Sequence, residues 1–385
     1  MIIYVISNTI LDDKNISGGD ILLPKLSNHL DPEIKFVVIT NHIGKSLWEK
    51  SGNCLDFNII EDIIVIDKLW FAPVKYILRT FQLFFLFFKL YKKKERVLFY
   101  TSSDLFPDTI PVFIHKYINH RIFWISRIYH INKSPLARKG KFTHNLFSYI
   151  AQQISLPLIK SKSDLILTLA GTRKILHQMD FPGNKTKVLN AGVTENLIKS
   201  AQANLEKFDC FFLGTIVHTK GAFDLLEVWA EIVKSKKNYQ LAVIGGGDQD
   251  IISTFKHRIS SLNLNKNITY FGRIEKDEDV YSIIKSSKVC IIPGHENGWS
   301  LPATEAMTAG VPVVGYDLDM FGDAFKQGFA VAPLYNHNAL ANKICEVLEN
   351  ENLWETLHQE ALEESKKFSW KYIAKEFEQY VDKLN

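Results

Sequence analysis

Cysteine is scarce in this chain, and its spacing indicates no site. The 385 residues include four cysteines, far apart and without a CxxC pair: Cys54, Cys210, Cys290 and Cys345. Neither a disulfide framework nor a cysteine zinc site is therefore indicated. This usage fits a reducing compartment, so we expect a cytoplasmic protein.

Long uninterrupted hydrophobic runs are also missing. The most apolar stretch, Phe71 to Tyr91, is broken by four polar side chains, Lys75, Arg79, Gln82 and Lys89. A membrane-spanning helix needs about 20 apolar residues with few or no charges. The first residues, MIIYVISN, lack the basic segment and cleavage site of a signal peptide and are typical of a β-strand. The sequence therefore predicts neither a transmembrane segment nor secretion.

Charge is present but unevenly divided. The composition, 46% hydrophobic and 23% charged, is that of a globular protein and excludes a disordered or fibrous chain. Residues 1–190 carry 26 Lys and Arg against 15 Asp and Glu, a net +11, whereas residues 191–385 carry 20 against 27, a net −7. The first half is expected to face an anionic partner: a membrane, a polyanionic acceptor or nucleic acid. The alternative is an uneven scatter of solvated surface charge. Because no nucleic-acid recognition motif is present, nucleic acid is the least favoured partner.

Short β-branched or aromatic runs alternate with longer helical patterns along the chain. The first half has runs at Ile2–Ser7, Lys35–Thr40, Ile63–Ile66, Val97–Tyr100, Ile122–Ser126, Leu165–Leu169 and Lys187–Leu189. The second half has runs at Asp209–Leu213, Gln240–Ile244, Ile268–Phe271, Val289–Ile292 and Pro312–Tyr316. Strands separated by crossover helices predict parallel sheets.

The alternation pauses at the segment NAGVTEN, residues 190–196. We therefore predict an α/β protein with two doubly wound, Rossmann-like domains facing a cleft, at 1–193 and 194–368. A last helix is predicted at 369–385, which either closes the second domain or crosses back to the first.

Glycine-rich turns follow several of the predicted strands, where open α/β sheets bind ligands. After the first strand come Gly18 and Gly19, which either bring backbone N–H groups to an anion or form a flexible turn. Gly214 begins a turn that ends at Lys220 and Gly221, and Lys220 either neutralises a phosphate or is a solvated turn residue. The triplet Gly245 to Gly247 lacks the GxGxxG spacing, which disfavours a dinucleotide site.

The segment VCIIPGHENGWSLPATEAMTAGVPVV, residues 289–314, is the most informative one. A buried strand leads into a polar loop and then into a helix expected to begin near Pro302, with Glu305 in its first turn. The backbone amides of Gly298 to Leu301 would then form a seat for a pyrophosphate or sugar hydroxyls.

These residues resemble the retaining GT-B glycosyltransferases of the group 1 (family 4) type, which carry a Glu-x7-Glu motif in this loop and helix. The second half matches through the turns named above and through Phe271-Gly272 and Phe368-Ser369-Trp370. The first half matches more loosely, through Gly18 and Gly19, His130 and the segment NAGV at 190–193.

The resemblance implies roles for individual residues. Glu305 would bind the donor ribose, Lys220 the diphosphate, and Gly272, Arg273 and Ile274 the nucleobase. His130 would lie near the reacting sugar. The implied donor site comprises Gly18, Gly19, Gly214, Thr215, Lys220, Gly272, Arg273, Ile274, Gly298, Trp299, Ser300, Leu301 and Glu305.

Two positions depart from the family pattern. The first motif glutamate falls on Asn297, one residue after Glu296, so either Glu296 or Asn297 contacts the sugar. Thr215 stands where the family has an arginine, which removes a cation from the phosphate site. The implied catalytic group is His130, Lys220, Glu296 and Asn297.

The same resemblance implies transfer with retention of anomeric configuration. Because Asp317 and Asp319 are the nearest match to a DxD pair and fit surface positions equally well, we predict that the enzyme needs no metal and no cofactor. The donor would be a nucleotide-sugar.

Basic clusters of the first half suggest the acceptor. The stretch 71–96 is rich in phenylalanine and ends in Lys92, Lys93, Lys94 and Arg96, and a second cluster contains Arg138 and Lys139. This composition fits a helix resting on an anionic bilayer, or else a core helix with a solvated basic end. We expect a peripheral enzyme on the inner face of the membrane that acts on a glycan or lipid-linked acceptor in cell-envelope polysaccharide or glycolipid synthesis. The alternatives are a nucleotide-sugar epimerase or phosphorylase, and a non-catalytic glycan-binding or membrane-binding module.

Overall fold

The structure is a computed structural model that describes residues 1–11, 18–61, 72–90, 96–137, 142–235, 238–295, 299–318 and 320–384. It divides into two compact units. The first comprises Met1–Gly192 with Trp370–Asn385, and the second comprises Val193–Ser369.

The first unit is built on a seven-stranded sheet in which every pairing is parallel. Its strands are β1 (Ile2–Ser7), β2 (Lys35–Thr40), β3 (Asp56–Ile59), β4 (Val97–Thr101), β5 (Ile122–Ile128), β6 (Leu165–Thr168) and β7 (Thr186–Val188). Their order in the sheet is β3-β2-β1-β4-β5-β6-β7. The winding direction reverses between β1 and β4, so the loops after these two strands lie at a topological switch point.

Helices connect the strands of this sheet. They are α1 (Gly18–Ser27), α2 (His42–Ser51), α3 (Ala72–Leu90), α4 (Phe106–Ile118), α5 (Phe142–Lys162) and α6 (Ala170–Gln178). One helical layer consists of α3, α4 and α5, with α4 packed between the other two. This layer contributes Leu83, Phe87 and Val112 to the core, which also contains Phe99 and Trp124 of the sheet.

The second unit has a six-stranded sheet, also parallel throughout, in the order β10-β9-β8-β11-β12-β13. The strands are β8 (Phe208–Leu213), β9 (Leu241–Ile244), β10 (Ile268–Gly272), β11 (Ser287–Ile292), β12 (Val313–Tyr316) and β13 (Phe329–Ala332). Here the switch point lies between β8 and β11.

The helices of the second unit are α7 (Glu195–Ser200), α8 (Ala222–Lys234), α9 (Gln249–Ser261), α10 (Asp277–Lys285), α11 (Leu301–Thr308), α12 (Met320–Asp323), α13 (His337–Glu349) and α14 (Glu351–Ser365). The short α12 is interrupted, because Phe321 and Gly322 have non-helical backbone angles. The buried face of α8, which includes Leu226 and Trp229, packs in one core with Phe255 of α9 and Ile344 of α13. This packing fixes α8, whose first turn borders the loops after β8 and β11.

The last helix, α15 (Trp370–Asp382), belongs to the first unit. Phe377 meets Phe36 edge to face, with ring centroids 6.5 Å apart, and also packs on Tyr100. The Tyr380 hydroxyl donates to the Val188 carbonyl oxygen at 3.2 Å. The chain therefore returns to its first sheet at its end.

The prediction of two parallel α/β domains is confirmed. The predicted strand at Ile63–Ile66 lies outside the described residues. Two short edge strands, β3 and β13, were missed. In β3, Asp56 and Asn58 interrupt the apolar run that identifies a buried strand. β13 was missed although all four of its residues, FAVA, are apolar.

Candidate functional site

Glycines line the carboxyl edge of the second sheet where β8, β9 and β10 end side by side. A Cβ on Gly245 would lie 1.8 Å from the Gly214 carbonyl oxygen, and Gly245 has φ +156°. The Gly245 N–H donates to the Gly272 carbonyl oxygen at 2.8 Å. Backbone atoms rather than side chains therefore form the surface at this edge of the sheet, so a ligand can approach it closely.

The turn after β8 packs closely against the loop after β11 and is hydrogen-bonded to it. His218–Lys220 form one turn of 3-10 helix, and Gly221 follows in the left-handed region at φ +72°. A Cβ on Gly221 would lie 1.8 Å from the Pro293 carbonyl oxygen. The His295 N–H donates to the Thr219 carbonyl oxygen at 3.1 Å. Lys220, which is exposed, is thereby held at the switch point.

The loop after β11, residues 293–300, is called the motif loop, and the helix that follows it begins at Leu301, next to Pro302, near which the sequence predicts its start. Ser300 is the N-cap of α11, and its hydroxyl accepts the Ala303 N–H at 3.3 Å. Pro302 has no N–H, so Leu301 carries the remaining N–H of the first three helical positions. The sequence-based placement of Glu305 in the first turn is wrong, because Glu305 is the fifth residue of the helix and no acidic residue lies in that turn.

Glu305 is half-buried between α10 and β11. Burial raises the pKa of the Tyr281 phenol, and the Glu305 carboxylate adds to this shift through its charge and a hydrogen bond. Burial also raises the pKa of the Cys290 thiol, again with a contribution from Glu305. The Glu305 carboxylate, at the fifth position of α11, is therefore hydrogen-bonded to Tyr281.

Other residues of the implied donor site have varied surroundings. Thr215 is exposed and Ile274 is half-buried. Arg273 forms an exposed ion pair with Glu275, 3.0 Å from Nε to Oε1. The Trp299 side chain is buried in an aromatic cluster, stacked on Phe325 with centroids 5.0 Å apart. Trp299 can therefore contribute its backbone to a ligand site, while its ring packs in the core.

Several residues of the sequence prediction lie outside the described residues. These are Glu296, Asn297 and Gly298 of the motif loop, and Lys92, Lys93, Lys94, Arg138 and Lys139 of the basic clusters. Of the basic residues that are described, Arg96 lies over the Phe123 ring at 4.1 Å and donates to the Leu384 carbonyl oxygen. Arg96 thus takes part in packing within the first unit.

In the first unit, Tyr129 joins the glycine turn to the end of β5. Gly18 and Gly19 are the first residues of α1, and the Tyr129 hydroxyl donates to the Gly19 carbonyl oxygen at 2.7 Å. A Cβ on Gly19 would approach the Tyr129 ring to 3.0 Å. Because His130 follows Tyr129 in the chain, the structure brings Gly19 close to the segment that carries His130.

A buried hydrogen-bond network underlies His130. Its ring Nε2 lies 3.1 Å from Asn132 Oδ1. Gln152 of α5 contacts the carboxylate of Asp104, the carbonyl of His130 and the N–H of Asn132. Burial raises the pKa of Asp104, although the charge of His130 and the hydrogen bond from Gln152 act in the opposite direction. Sequence reasoning missed Asp104, Asn132 and Gln152.

A second missed cluster lies beside the motif loop. Asp224, in the first turn of α8, has both His295 Nε2 (2.9 Å) and His337 Nε2 (3.2 Å) against its Oδ2. The His295 ring also packs on Tyr335, 4.6 Å between centroids. Two sequence features could have indicated this cluster. Asp224 lies in the first turn of the helix that follows Lys220, and His295 comes directly after Pro293-Gly294.

The outer faces of α3 and α5 are apolar. We call this surface the outer apolar face; it consists of Val74, Ile77, Phe81, Phe85 and Phe88 on α3 and Phe142, Leu146, Ile150 and Ile154 on α5, each exposed. Phe81, Phe85 and Phe88 are 59%, 62% and 54% exposed. Exposed apolar patches of this kind mark interaction surfaces.

No helix among the described residues is long and apolar enough to cross a membrane. Within the same described ranges, no three His, Cys, Asp or Glu side chains are grouped so that they could hold a metal ion.

Comparison with known proteins concerns mainly the second unit. Residues 193–364 match the family model described as Glycosyl transferases group 1. Over 154 residues the chain is 27% identical to an uncharacterized glycosyltransferase of Haemophilus influenzae, covering 40% of this chain and 42% of the relative. It is also 27% identical over 159 residues to the phosphatidyl-myo-inositol mannosyltransferase of Mycobacterium leprae, covering 40% and 41%. The matched segments thus span less than half the length of these relatives.

The whole fold has a solved counterpart. The crystal structure of Anabaena Alr3699/HepE in complex with UDP superposes with a TM-score of 0.73 over 99% of both chains, at 14% sequence identity. At a sequence identity this low, the match is evidence for a shared fold and not for a shared activity. Residues 193–364 are therefore similar to the Glycosyl transferases group 1 domain, and the chain has the GT-B fold.

Proposed function

We propose that this protein is a retaining glycosyltransferase that needs no metal or cofactor. It moves a sugar from a nucleotide-sugar donor to a glycan or lipid-linked acceptor in cell-envelope polysaccharide or glycolipid synthesis. It acts in the cytoplasm, peripherally bound to the inner face of the cell membrane.

The observation that carries this proposal is the glycine-lined edge of the second sheet. Gly214, Gly245 and Gly272 keep side chains away from it, while Lys220 and the N-terminus of α11 flank the same switch point. Such an edge suits a nucleoside diphosphate, which needs close backbone approach and positive electrostatic potential. The match to the group 1 family model and the UDP held by the Anabaena neighbour support a nucleotide-sugar donor.

The residues of this edge have distinct tasks in the proposed reaction. Cleavage of the bond between the anomeric carbon and the diphosphate develops negative charge on the leaving oxygen, which Lys220 and the α11 N-terminus stabilise. Glu305 binds the ribose hydroxyls. Glu296 or Asn297 contacts the donor sugar. The acceptor hydroxyl attacks from the face that the diphosphate leaves, and its proton passes to the leaving phosphate oxygen.

The membrane-facing part of the proposal rests on the first unit. The outer apolar face lies on two helices of one layer, and α3 contains no acidic residue. From Thr109 to Ser163, a stretch that includes all of α5, the chain holds no Asp or Glu. Exposed aromatic side chains on two helices that contain no acidic residue suit an anionic bilayer, which attracts neighbouring lysines and arginines.

The catalytic proposal is tested with the full chain and a panel of UDP-, GDP- and ADP-sugars, first by thermal shift and then by transfer to membrane extracts. Replacing Lys220 or Glu305 with alanine should lower kcat by about a hundredfold, the scale for losing one preorganised charge contact. Lys234→Ala, a surface substitution in the same unit, should leave activity unchanged.

Three results would contradict the proposal. Full activity of both site variants would reject the assigned site. Isomerised sugar without acceptor, or a strict need for free phosphate, would indicate an epimerase or phosphorylase. Absence of binding to every sugar nucleotide would indicate a non-catalytic module.

A further inference from the structure

The network beneath His130 fixes the orientation of two side-chain amides. Asn132 approaches the Ser148 carbonyl oxygen at 3.2 Å, and only the NH₂ end of the amide can donate there. Gln152 meets the Asn132 backbone N–H at 2.8 Å, and only the oxygen of the Gln152 amide can accept this bond. Each orientation is thus set by a backbone group with a single hydrogen-bonding role.

The two orientations determine where the proton of a neutral His130 lies. With its NH₂ group on Ser148, Asn132 presents Oδ1 to His130 Nε2 at 3.1 Å. Because Oδ1 only accepts, Nε2 must carry the hydrogen. The other nitrogen, Nδ1, then keeps its lone pair. No hydrogen bond to Nδ1 is found among the residues that the structure describes.

Gln152 connects this arrangement to the interior. Its Nε2 donates to Asp104 Oδ2 at 2.6 Å and to the His130 carbonyl oxygen at 2.7 Å, while its Oε1 accepts from Asn132. All three groups lie past the carboxyl ends of β4 and β5, and Gln152 is buried. The Gln152 side-chain amide is therefore hydrogen-bonded to the backbone of both His130 and Asn132, and its contact with Asp104 fixes the amide in place.

We propose that Gln152 is a positioning residue that holds His130 as the Nε2-protonated tautomer, so that Nδ1 accepts a hydrogen bond from a sugar hydroxyl of the substrate. Asn132 sets the tautomer and Asp104 anchors Gln152. The part played by the sugar rests on the proposed transferase function. The tautomer and its support are properties of the protein alone.

The tautomer is tested on the full chain without any substrate. Long-range proton–nitrogen NMR of protein labelled with ¹⁵N-histidine distinguishes a protonated from an unprotonated ring nitrogen, and the His130→Gln variant identifies the His130 signals. In the neutral form of the ring we expect a protonated Nε2 and an unprotonated Nδ1. A protonated Nδ1 with a bare Nε2 would overturn the proposal whether or not the protein is a transferase.

The positioning role is tested with a matched pair of substitutions. Gln152→Glu keeps the length of the side chain but removes the NH₂ donor to Asp104 and His130, whereas Gln153→Glu adds the same charge one residue further along α5. With the sugar nucleotide that the native enzyme uses, Gln152→Glu should lower kcat about tenfold to a hundredfold with little change in the donor KM. It should also change the His130 ring signals, and Gln153→Glu should do neither.

An unchanged kcat together with unchanged ring signals in folded Gln152→Glu protein would reject the positioning role. If kcat falls but the ring signals stay, the proposal is also rejected, because the loss then arises elsewhere. If no nucleotide-sugar supports any transfer while the tautomer is the expected one, the proposed function fails and the tautomer assignment stands.

Discussion

His295 Nε2 lies 2.9 Å from the Oδ2 of Asp224, which joins the loop after β11 to the first turn of α8. Both side chains are mostly buried, with 14% and 17% of their surface exposed. The contact lies one residue before the segment that contains Glu296 and Asn297. Since the backbone N–H of His295 also donates to the Thr219 carbonyl oxygen, the Lys220 turn and the start of the loop after β11 are anchored to each other.

Removing the Asp224 side chain should destabilise the second unit. Asp224→Ala leaves His295 and His337 without their shared acceptor, so we expect the free energy of unfolding to fall by about 1 to 3 kcal/mol and kcat to fall with it. Asp250→Ala is the matched control, because Asp250 is also an aspartate in a first helical turn but is exposed. Denaturant unfolding of both variants measures the difference, and equal losses would show that the helix terminus alone is responsible.

Two glycines with the same backbone conformation should respond differently to alanine. Gly221 and Gly272 have φ values of +72° and +70°, but a Cβ on Gly221 meets the Pro293 carbonyl oxygen whereas a Cβ on Gly272 meets nothing within 4 Å. Gly272→Ala should cost about 1 to 2 kcal/mol, the penalty of the left-handed region. Gly221→Ala should cost about 2 to 5 kcal/mol, because steric overlap is added to that penalty. Similar shifts in melting temperature would contradict this placement of the turn.

Sequence patterns identify the central strands because both faces of these strands are buried. β1 and β4 form nearly continuous apolar runs, as expected for parallel strands covered by helices. The start of α11 was predicted closely because proline is favoured in the first turn of a helix, and Pro302 occupies the second helical position, behind the Ser300 cap.

The support of His130 was not predictable from sequence for a different reason. Asp104, Asn132 and Gln152 come from the loops after two strands and from a helix, and Asp104 and Gln152 are 48 positions apart in the sequence. No local pattern marks such a set. The glycine turns and Lys220, in contrast, lie in contiguous motifs, so one sequence was sufficient to nominate them.

A buried carboxyl group should make stability depend on pH. Burial raises the pKa of Asp108 to about 7, although hydrogen bonds from Ser103 and from the Asn8 N–H favour its charged form. An aspartate of an unfolded chain has a pKa of about 3.9. Between these values the native state binds more protons than the unfolded chain, so this group lowers the free energy of unfolding as pH rises from about 4 to about 7.

Asp108→Asn should remove that dependence. The asparagine oxygen can still accept from Asn8 and its NH₂ group can donate to Ser103, so the packing is preserved. We expect the melting temperature of the variant to gain on that of the native protein as pH increases from 5 to 8. If the melting temperatures of the variant and the native protein instead change with pH in parallel across this range, the native Asp108 is already ionised at pH 5.

The outer apolar face provides the last prediction. Replacing Phe81 and Phe85 together with serine should weaken binding to vesicles that contain phosphatidylglycerol by at least about tenfold. Burial of one phenylalanine contributes about 1.5 to 3 kcal/mol, and partial insertion into the interface retains part of this. Leu205→Ser is the control, because Leu205 is 99% exposed in the second unit and lies on neither α3 nor α5.

The electrostatic part of the same contact can be separated from the apolar part. Changing Lys92, Lys93 and Lys94 to glutamate should weaken binding to anionic vesicles, with less effect on neutral phosphatidylcholine vesicles, and salt should reduce the difference. The phenylalanine substitutions should weaken both kinds of binding, since apolar insertion does not depend on headgroup charge. Sedimentation of vesicles with bound protein measures each case. If all variants bind as the native chain does, the excess of positive charge in residues 1–190 is surface scatter and the outer apolar face has another partner.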